Sequence, residues 1–229
     1  MPHLLAGDFE GHVGLWDLTR AEVPLSYFKA HEDVVNCMDG AGSLSGRPEF
    51  VTGGVDGTVK LWDTRLNHKE TSGGSSPISN MSLKKGREDY KVWCVALGGP
   101  GSDTEATGSG VDDLLVVAGY DNGDVRVMDI RFPQGNGVTQ EVVEVQSGDD
   151  STLWQACHIP QRPGVVAVSD GGGQIHLFQH GDDKTLMKPL GSHKAASEAM
   201  ISLDFNEDLE GLYVGCDLDS TLRVGMVHL

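Results

Sequence analysis

The stretch EFVTGGVDGTVKLWD, from Glu49 to Asp63, decides the fold. Two short runs with apolar residues at alternate positions flank a turn that contains Asp and Gly, and the second run ends on a Trp-Asp pair. Such alternation on both sides of an Asp-Gly turn is typical of a β-hairpin. In the second run, Val59 and Leu61 point to one face of the strand and Trp62 points to the other. The stretch therefore predicts two antiparallel strands.

The same fourteen positions recur along the chain and predict a repeat fold. The five copies are LLAGDFEGHVGLWD (4–17), FVTGGVDGTVKLWD (50–63), VVAGYDNGDVRVMD (116–129), VAVSDGGGQIHLFQ (166–179) and YVGCDLDSTLRVGM (213–226). Further strand-like segments precede most copies or lie between them, so each unit contains about four short strands. Units of this kind are the signature of a β-propeller, in which each blade is buried only by its neighbours. We therefore predict an all-β propeller with about five recognisable blades.

The five turns share one position, which is Gly11, Gly57, Gly123, Gly173 and Ser220. The interval between the second and third turns is longer than the others. Residues 66–89 and 98–113 fall in that interval, and the second of them is rich in Gly and acidic residues. We expect a single propeller domain over residues 1–229, with flexible insertions at 66–89 and 98–113.

Composition excludes several classes of function. The chain has 229 residues and a net charge of −17, and a field of that sign repels phosphate backbones and anionic lipids. It therefore argues against nucleic-acid and membrane partners and favours basic protein surfaces. No apolar run is long enough to span a bilayer and the start lacks the features of a signal peptide, so we expect a cytoplasmic protein. The four cysteines show no zinc-ligand or disulfide spacing, and we expect no metal and no cofactor.

The quoted unit also contains a candidate polar network. His31 precedes its first strand, Thr52 lies in the second, Asp56 lies in the turn and Trp62 lies in the third. The indole can donate to the hydroxyl, the hydroxyl to the imidazole and the imidazole to the carboxylate, which pairs every buried polar atom. A Thr-His-Asp set is also a catalytic arrangement. Since the period of the repeat accounts for these residues without a substrate, we predict a structural network and no catalytic residues.

The recurring turn and the Trp-Asp pairs at residues 16–17 and 62–63 resemble WD40 repeats, whose propellers are platforms for protein interaction. Three longer strings are similar to a WD40 subfamily linked to preassembly of axonemal dynein arms: AHEDVVNCMDG (30–40), AGYDNGDVRVMDIR (118–131) and STLWQACHIPQ (151–161). The resemblance implies a non-catalytic scaffold or adaptor of the cytoplasm, associated with cilia or flagella. It also implies protein partners, namely a co-chaperone complex of RuvB-like ATPases and prefoldin-like subunits, and dynein heavy chains.

The chain departs from that subfamily in its number of blades. The subfamily has seven blades, whereas five copies are recognisable here, and the first copy begins in what should be a second strand. Relative to the subfamily, about one and a half N-terminal blades and one internal blade are absent. The hairpins at 4–17 and 213–227 would then expose unpaired strand edges. Two alternatives stay open, an incomplete gene product and a smaller ring that closes imperfectly.

The resemblance further implies a partner-binding rim. In WD40 propellers, the turn between the second and third strands and the segment leading into the first strand open on one face. The residues that this places on the rim are Glu32, Asp33, Tyr120, Asp121, Asn122, Trp154 and Gln155. Aromatic anchors beside acidic groups suit a basic partner segment. Trp93 and Trp154 occupy equivalent positions, so packing between blades is an alternative role for both.

Two other functions are compatible with a propeller. One is a substrate receptor or scaffold in another complex, such as a ubiquitin ligase. The other is an enzyme of propeller architecture, but the sequence shows no nucleophile–base pair outside the network and no metal cluster. The sequence therefore favours the non-catalytic scaffold.

Overall fold

The computed structural model is built from β-strands. It describes residues 3–20, 22–40, 48–66, 77–82, 84–85, 88–98, 115–129, 141–145, 152–162, 164–180 and 187–228. Within these ranges lie twenty strands and no helix, so none of the described residues belongs to a helix that could cross a membrane.

The strands form five antiparallel sheets and one short ribbon. The first sheet has the order β1 (His3–Gly7), β2 (His12–Asp17), β3 (Ser26–Lys29). The second sheet has the order β4 (Val35–Gly40), β5 (Glu49–Gly54), β6 (Thr58–Asp63), β7 (Ser79–Ser82). A two-stranded ribbon of β8 (Lys84–Lys85) and β9 (Glu88–Asp89) follows.

The remaining three sheets continue the pattern in chain order. The third sheet contains β10 (Val92–Leu97), β11 (Leu115–Tyr120), β12 (Asp124–Asp129) and β13 (Glu141–Glu144). The fourth contains β14 (Leu153–His158), β15 (Val165–Asp170), β16 (Gln174–His180) and β17 (Met187–Lys194). The last contains β18 (Met200–Phe205), β19 (Leu212–Asp217) and β20 (Leu222–Met226).

Each aligned copy of the repeat forms one hairpin, which confirms the predicted unit. The hairpins are β1–β2, β5–β6, β11–β12, β15–β16 and β19–β20. The shared turn position has a positive φ in all of them, 83° at Gly11, 74° at Gly57, 83° at Gly123, 76° at Gly173 and 67° at Ser220. Glycine adopts this left-handed conformation freely, whereas a Cβ makes it costly. Local alternation and the turn residue together set the register.

The first and last sheets each have three strands where the other three sheets have four. Within the described residues, β1 has no strand on its outer side, and neither has β20. The first sheet lacks the strand that precedes the hairpin elsewhere, and the last sheet lacks the strand that follows it. This agrees with the unpaired edges expected for hairpins 4–17 and 213–227.

The chain folds as two units, residues 1–92 and 93–229. In the first unit, the core lies between the first two sheets and includes Val13, Phe28, Phe50 and Trp62. In the second unit, one core cluster joins the third sheet to the fourth, and another joins the fourth sheet to the last. Within each unit, the apolar faces of successive sheets thus bury one another, as blades do. A single domain over residues 1–229 stays a prediction.

The two predicted insertions differ in how much of them the structure describes. Residues 66–89 include β7, which pairs with β6 as the fourth strand of the second sheet, and also the short ribbon. Residues 66–89 are therefore not only an insertion, because they contain a strand of the second sheet and the short ribbon. All but the first residue of 98–113 lies outside the described residues, so the prediction of a flexible insertion there is untested.

Candidate functional site

The four predicted network residues meet in the second sheet. Trp62 Nε1 donates to Thr52 Oγ1 at 2.9 Å, and the same oxygen lies 2.7 Å from His31 Nε2. His31 Nδ1 lies 3.0 Å and 3.1 Å from the two carboxylate oxygens of Asp56. Because a carboxylate only accepts, His31 Nδ1 donates to Asp56 and His31 Nε2 accepts from the Thr52 hydroxyl. The hydrogen bonds run from indole to hydroxyl, imidazole and carboxylate in that order.

Asp56 accepts hydrogen bonds from two segments of the chain, one that contains His31 and Glu32 and one that contains Thr58. Besides His31, it accepts from Thr58 Oγ1 at 2.7 Å and from the backbone N–H of Glu32 at 3.1 Å. Burial raises the pKa of Asp56, but hydrogen bonds from His31 and Thr58 outweigh burial and hold that pKa well below its usual range. An ionised Asp56 therefore ties the β5–β6 turn to the segment that leads into β4.

The geometry of the network suits structure better than catalysis. Thr52, the only hydroxyl between the two rings, is fully buried, and both of its neighbours are ring nitrogens. A substrate cannot approach that oxygen without disrupting the sheet. Cys94 is equally unsuited to be a nucleophile, because burial raises the pKa of its thiol to about 12. Among the described residues, no group of three or more His, Cys, Asp or Glu side chains could hold a metal ion.

A second type of turn cap is present that the sequence analysis missed. Asp8, Asp170 and Asp217 occupy one repeat position, and each accepts the backbone N–H four residues later, at 2.8 Å, 2.8 Å and 3.0 Å. In two copies the carboxylate also meets a basic side chain six residues later. Asp170 Oδ2 lies 2.7 Å from His176 Nε2, and Arg223 Nε donates to Asp217 Oδ2 at 2.7 Å. The signal was visible in the aligned copies, as an Asp two positions before the one that carries Asp56.

The first unit contributes two acidic residues to the predicted rim. Glu32 and Asp33 are exposed and directly follow His31. The backbone of Glu32 is held by Asp56 at 3.1 Å, and Asp33 Oδ1 accepts from the N–H of Val34 at 2.8 Å. The network therefore orders the backbone beneath two carboxylates that solvent reaches.

In the second unit, one predicted rim residue needs correction. Asp121 and Asn122 are half-buried in the β11–β12 turn, and Asn122 Oδ1 accepts from the N–H of Asp124 at 3.1 Å. Tyr120 is only 1% exposed, with the Arg126 guanidinium 5.7 Å from its ring centre. Its ring is packed inside the unit and beneath a cation, so the structure does not place Tyr120 on an accessible rim.

Trp154 and Gln155 lie on β14, at the junction of the third and fourth sheets. The rings of Trp93 and Trp154 are 4.9 Å apart and tilted by 52°, which favours the alternative role in packing between blades. Trp154 and Gln155 are both partly exposed. A contact role for either residue stays a prediction.

Comparisons with known proteins agree with the fold. A family model described as "WD domain, G-beta repeat" matches residues 22–63, which contain the whole network. Dynein axonemal assembly factor 10 of Danio rerio is 30% identical over 287 residues, which cover 98% of this chain and 75% of that protein. The factors of that name from Homo sapiens and Chlamydomonas reinhardtii are 28% and 27% identical over 285 residues and cover 98% of this chain. These two alignments cover 76% and 75% of the relatives.

A solved structure supports the architecture alone. A chain in "Crystal Structure of Mitotic Checkpoint Complex" matches with a TM-score of 0.74 at 13% sequence identity. The match covers 99% of this chain and 59% of that chain. At this identity the likeness extends to the fold, an all-β WD40 architecture of blade-like sheets, and not to any activity.

Proposed function

Because this chain belongs to the dynein axonemal assembly factor 10 (Monad) family, we propose that it is a non-catalytic WD40 scaffold in the cytoplasmic preassembly of axonemal dynein arms. The observation that carries the proposal is the 30% identity to the Danio rerio factor along 98% of the chain. Relatives that share this name also come from Homo sapiens and Chlamydomonas reinhardtii.

The chemistry of the described residues supports a scaffold. In the Thr52-His31-Asp56 arrangement the hydroxyl and the imidazole are buried, and each polar side-chain atom already has a partner within the protein. The fold therefore interacts with other molecules through its surface. With a net charge of −17, that surface attracts basic segments over a distance and speeds their association.

By resemblance, we propose RuvB-like ATPases, prefoldin-like subunits and dynein heavy chains as the protein partners. Two separate groups of rim residues are candidates for the contacts. The first unit offers Glu32 and Asp33, and the second unit offers Asp121 with Asn122 and Trp154 with Gln155. Exposed carboxylates held on an ordered backbone suit Lys and Arg side chains of a partner.

The proposal is tested by affinity purification of the full chain from a ciliated or flagellated cell, at near-native abundance, with quantitative mass spectrometry. Size-exclusion chromatography first shows that the bait is soluble and monodisperse. We expect enrichment of RuvB-like ATPases, prefoldin-like subunits or dynein heavy chains. A well-behaved bait that enriches none of them would overturn the proposal. Enrichment of ubiquitin-ligase subunits instead would identify a substrate receptor.

A matched pair of charge reversals localises the contact. Glu32→Lys reverses an exposed charge on the predicted rim and leaves the backbone hydrogen bond to Asp56 in place. Glu22→Lys makes the same change in the β2–β3 loop, at the opposite end of the strands. We expect the first variant to lose about tenfold in partner enrichment and the second to retain it. Equal behaviour of the two variants would exclude Glu32 from the contact.

A further inference from the structure

The outer edge of the fourth sheet is a long, exposed strand. β17 has 8 residues, whereas β3, β7 and β13, the outer strands of the first three sheets, have 4 residues each. From Lys188 to Lys194, every residue of β17 is exposed. β17 pairs with β16 on one side, and within the described residues no strand pairs with its other side. A row of backbone N–H and C=O groups is therefore available there to a further strand.

The exposure of β17 belongs to a sheet that has a neighbour on each face. One core cluster joins the fourth sheet to the third, and another joins it to the last. Both clusters lie in the second unit, so the faces of the fourth sheet are covered by sheets that the structure describes. The uncovered part of the fourth sheet is its outer edge.

The charge of this edge is opposite to that of the whole chain. The chain has a net charge of −17, yet β16 and β17 contain no Asp or Glu, and β17 contains Lys188 and Lys194. Neither lysine forms an ion pair among the described residues, and Lys194 Nζ donates to the backbone carbonyl of Gly172. Both ammonium groups can therefore attract carboxylates of another molecule.

Two features of β17 restrict where a further strand can pair. Pro189 has no N–H to donate, and proline and lysine on an edge strand hinder indiscriminate pairing. The pairing with β16 shifts at Leu190, which is opposite no residue of β16 and is 49% exposed. Residues 190–194 therefore form the part of the edge that can accept a strand, with Lys194 at one end and Lys188 just beyond the other.

We propose that residues 190–194 bind an extended acidic segment of a partner protein as an additional strand of the fourth sheet. The main chain of the segment pairs with the edge, and its Asp or Glu side chains reach Lys188 and Lys194. A second copy of β17 is a poorer occupant. In an antiparallel pair of two copies centred on Gly191, Lys188 of each copy would lie opposite Lys194 of the other, and like charges in that position are destabilising.

This edge is separate from the predicted rim. In the fourth sheet, β15 and β16 lie between β17 and β14, the strand that carries Trp154 and Gln155. The rim suits a basic partner segment, whereas the edge suits an acidic one. The inference does not rest on the proposed role in dynein assembly.

Binding is measured by fluorescence anisotropy with the full chain and a fluorescein-labelled peptide, Glu-Glu-Val-Thr-Val-Glu-Glu. The buffer contains about 0.15 M salt, which screens the net charge of the chain beyond about 8 Å. One matched peptide carries N-methyl groups on its three central residues, which removes N–H donors from both of its edges and keeps its charge. In another, Gln replaces every Glu.

We expect each modified peptide to bind at least about tenfold more weakly than the unmodified one. Equal binding of the methylated peptide would overturn the proposal, because it would show that the main chain does not pair. Equal binding of the Gln peptide would exclude the lysines. Absence of binding by the unmodified peptide at millimolar concentration would also overturn the proposal.

A matched pair of charge reversals supplies the control on the protein side. Lys188→Glu reverses an exposed charge beside the edge, whereas Arg20→Glu makes the same change at an exposed residue of the β2–β3 loop. We expect the first variant to lose about tenfold in affinity for the acidic peptide and the second to lose little. Circular dichroism checks that both variants fold. Equal affinity of the two folded variants would overturn the proposal.

Hydrogen exchange locates the bound peptide. We expect the unmodified peptide to slow the exchange of backbone amides in residues 190–194 and to leave β3, the outer strand of the first sheet, unchanged. Protection elsewhere without protection of β17 would overturn the proposal.

Sedimentation velocity tests the second copy as the occupant. We expect the full chain to sediment as a monomer at micromolar concentration. If it forms oligomers in which the amides of residues 190–194 are protected from exchange, a second copy occupies the edge and the proposal is wrong.

Discussion

The fourth sheet and the last sheet are built from the same repeat, yet their corresponding side chains lie in opposite environments. Leu177 is 6% exposed and Val224, at the same repeat position, is 69% exposed. The difference arises because the last sheet packs against the face of the fourth sheet that carries Leu177, while Val224 belongs to no core cluster of the described residues. In a repeat fold the sequence of a unit determines its strands, whereas the neighbouring unit determines its burial.

The turns of the two sheets differ in the same way. The carbonyl of Gly173 accepts the N–H groups of Ala195 and Ala196, both at 3.0 Å, and these residues lead into the last sheet. A Cβ at Gly173 would lie 2.4 Å from the carbonyl oxygen of Glu198. The last sheet has Ser220 at this position, with a φ of 67°. Glycine is needed at Gly173 because the segment that leads into the last sheet approaches this turn. In the turn of the last sheet itself, a serine is accommodated at a cost in backbone strain.

The largest expected effect comes from truncating the paired aliphatic residues. Leu177→Ala removes buried methyl groups and leaves a cavity, which costs about 2–4 kcal/mol in free energy of unfolding. Val224→Ala removes an exposed side chain and changes that free energy by less than about 0.5 kcal/mol. Urea denaturation of both variants measures the difference. A comparable loss in Val224→Ala would show that Val224 is covered in solution.

A smaller effect is expected from placing a side chain in the turn of the fourth sheet. Gly173→Ser introduces a Cβ at a φ of 76° and against the backbone of the next unit. We expect a loss of about 1–3 kcal/mol, measured by thermal or urea unfolding. A loss below about 0.5 kcal/mol would mean that the segment leading into the last sheet moves away from the turn easily.

The dependence of stability on pH should also distinguish the fourth sheet from the last sheet. Burial, together with the neighbouring His180, lowers the pKa of His158 from its usual 6.5 to about 3. The unfolded chain therefore binds this proton first, and stability falls as the pH is lowered from about 6.5 toward 3, by up to about 1.4 kcal/mol per pH unit. His158→Gln should flatten the dependence of unfolding free energy on pH in this window.

Asp217 in the last sheet provides the control for that measurement. The Arg223 guanidinium and the backbone N–H of Thr221 both donate to Asp217, and these hydrogen bonds outweigh burial and lower its pKa from 3.8 to about 2. Its stabilising effect is present above the unfolded pKa and is lost only as the pH falls through the folded value. Asp217→Asn should leave the dependence of unfolding free energy on pH unchanged between pH 4.5 and 6.5. If His158→Gln behaves in the same way, His158 is not held neutral by the fold.

The parts of the structure that the sequence could predict are the local ones. The hairpins follow from alternation around a glycine turn, and His31, Asp56 and Trp62 could be linked because each has a fixed place in one repeat. Tyr120 shows the limit of this reasoning. The sequence predicts that Tyr120 lies at the end of a strand. Its burial depends on the residues that pack around it, which the local pattern does not specify. The caps at Asp170 and Asp217 were missed because the quoted unit, which served as the reference, uses a different Asp.

The smallest effect is expected from restoring the consensus turn in the last sheet. Ser220 is the one described residue other than glycine with a positive φ, and Ser220→Gly removes the strain of its Cβ. We expect a gain of up to about 1 kcal/mol, since glycine also increases the entropy of the unfolded chain and offsets part of the relief. Urea denaturation with Ser192→Gly as a control separates relief of strain from a general effect of glycine, because Ser192 lies within β17, where glycine is destabilising. A loss of stability in both variants would mean that the left-handed conformation at Ser220 costs little.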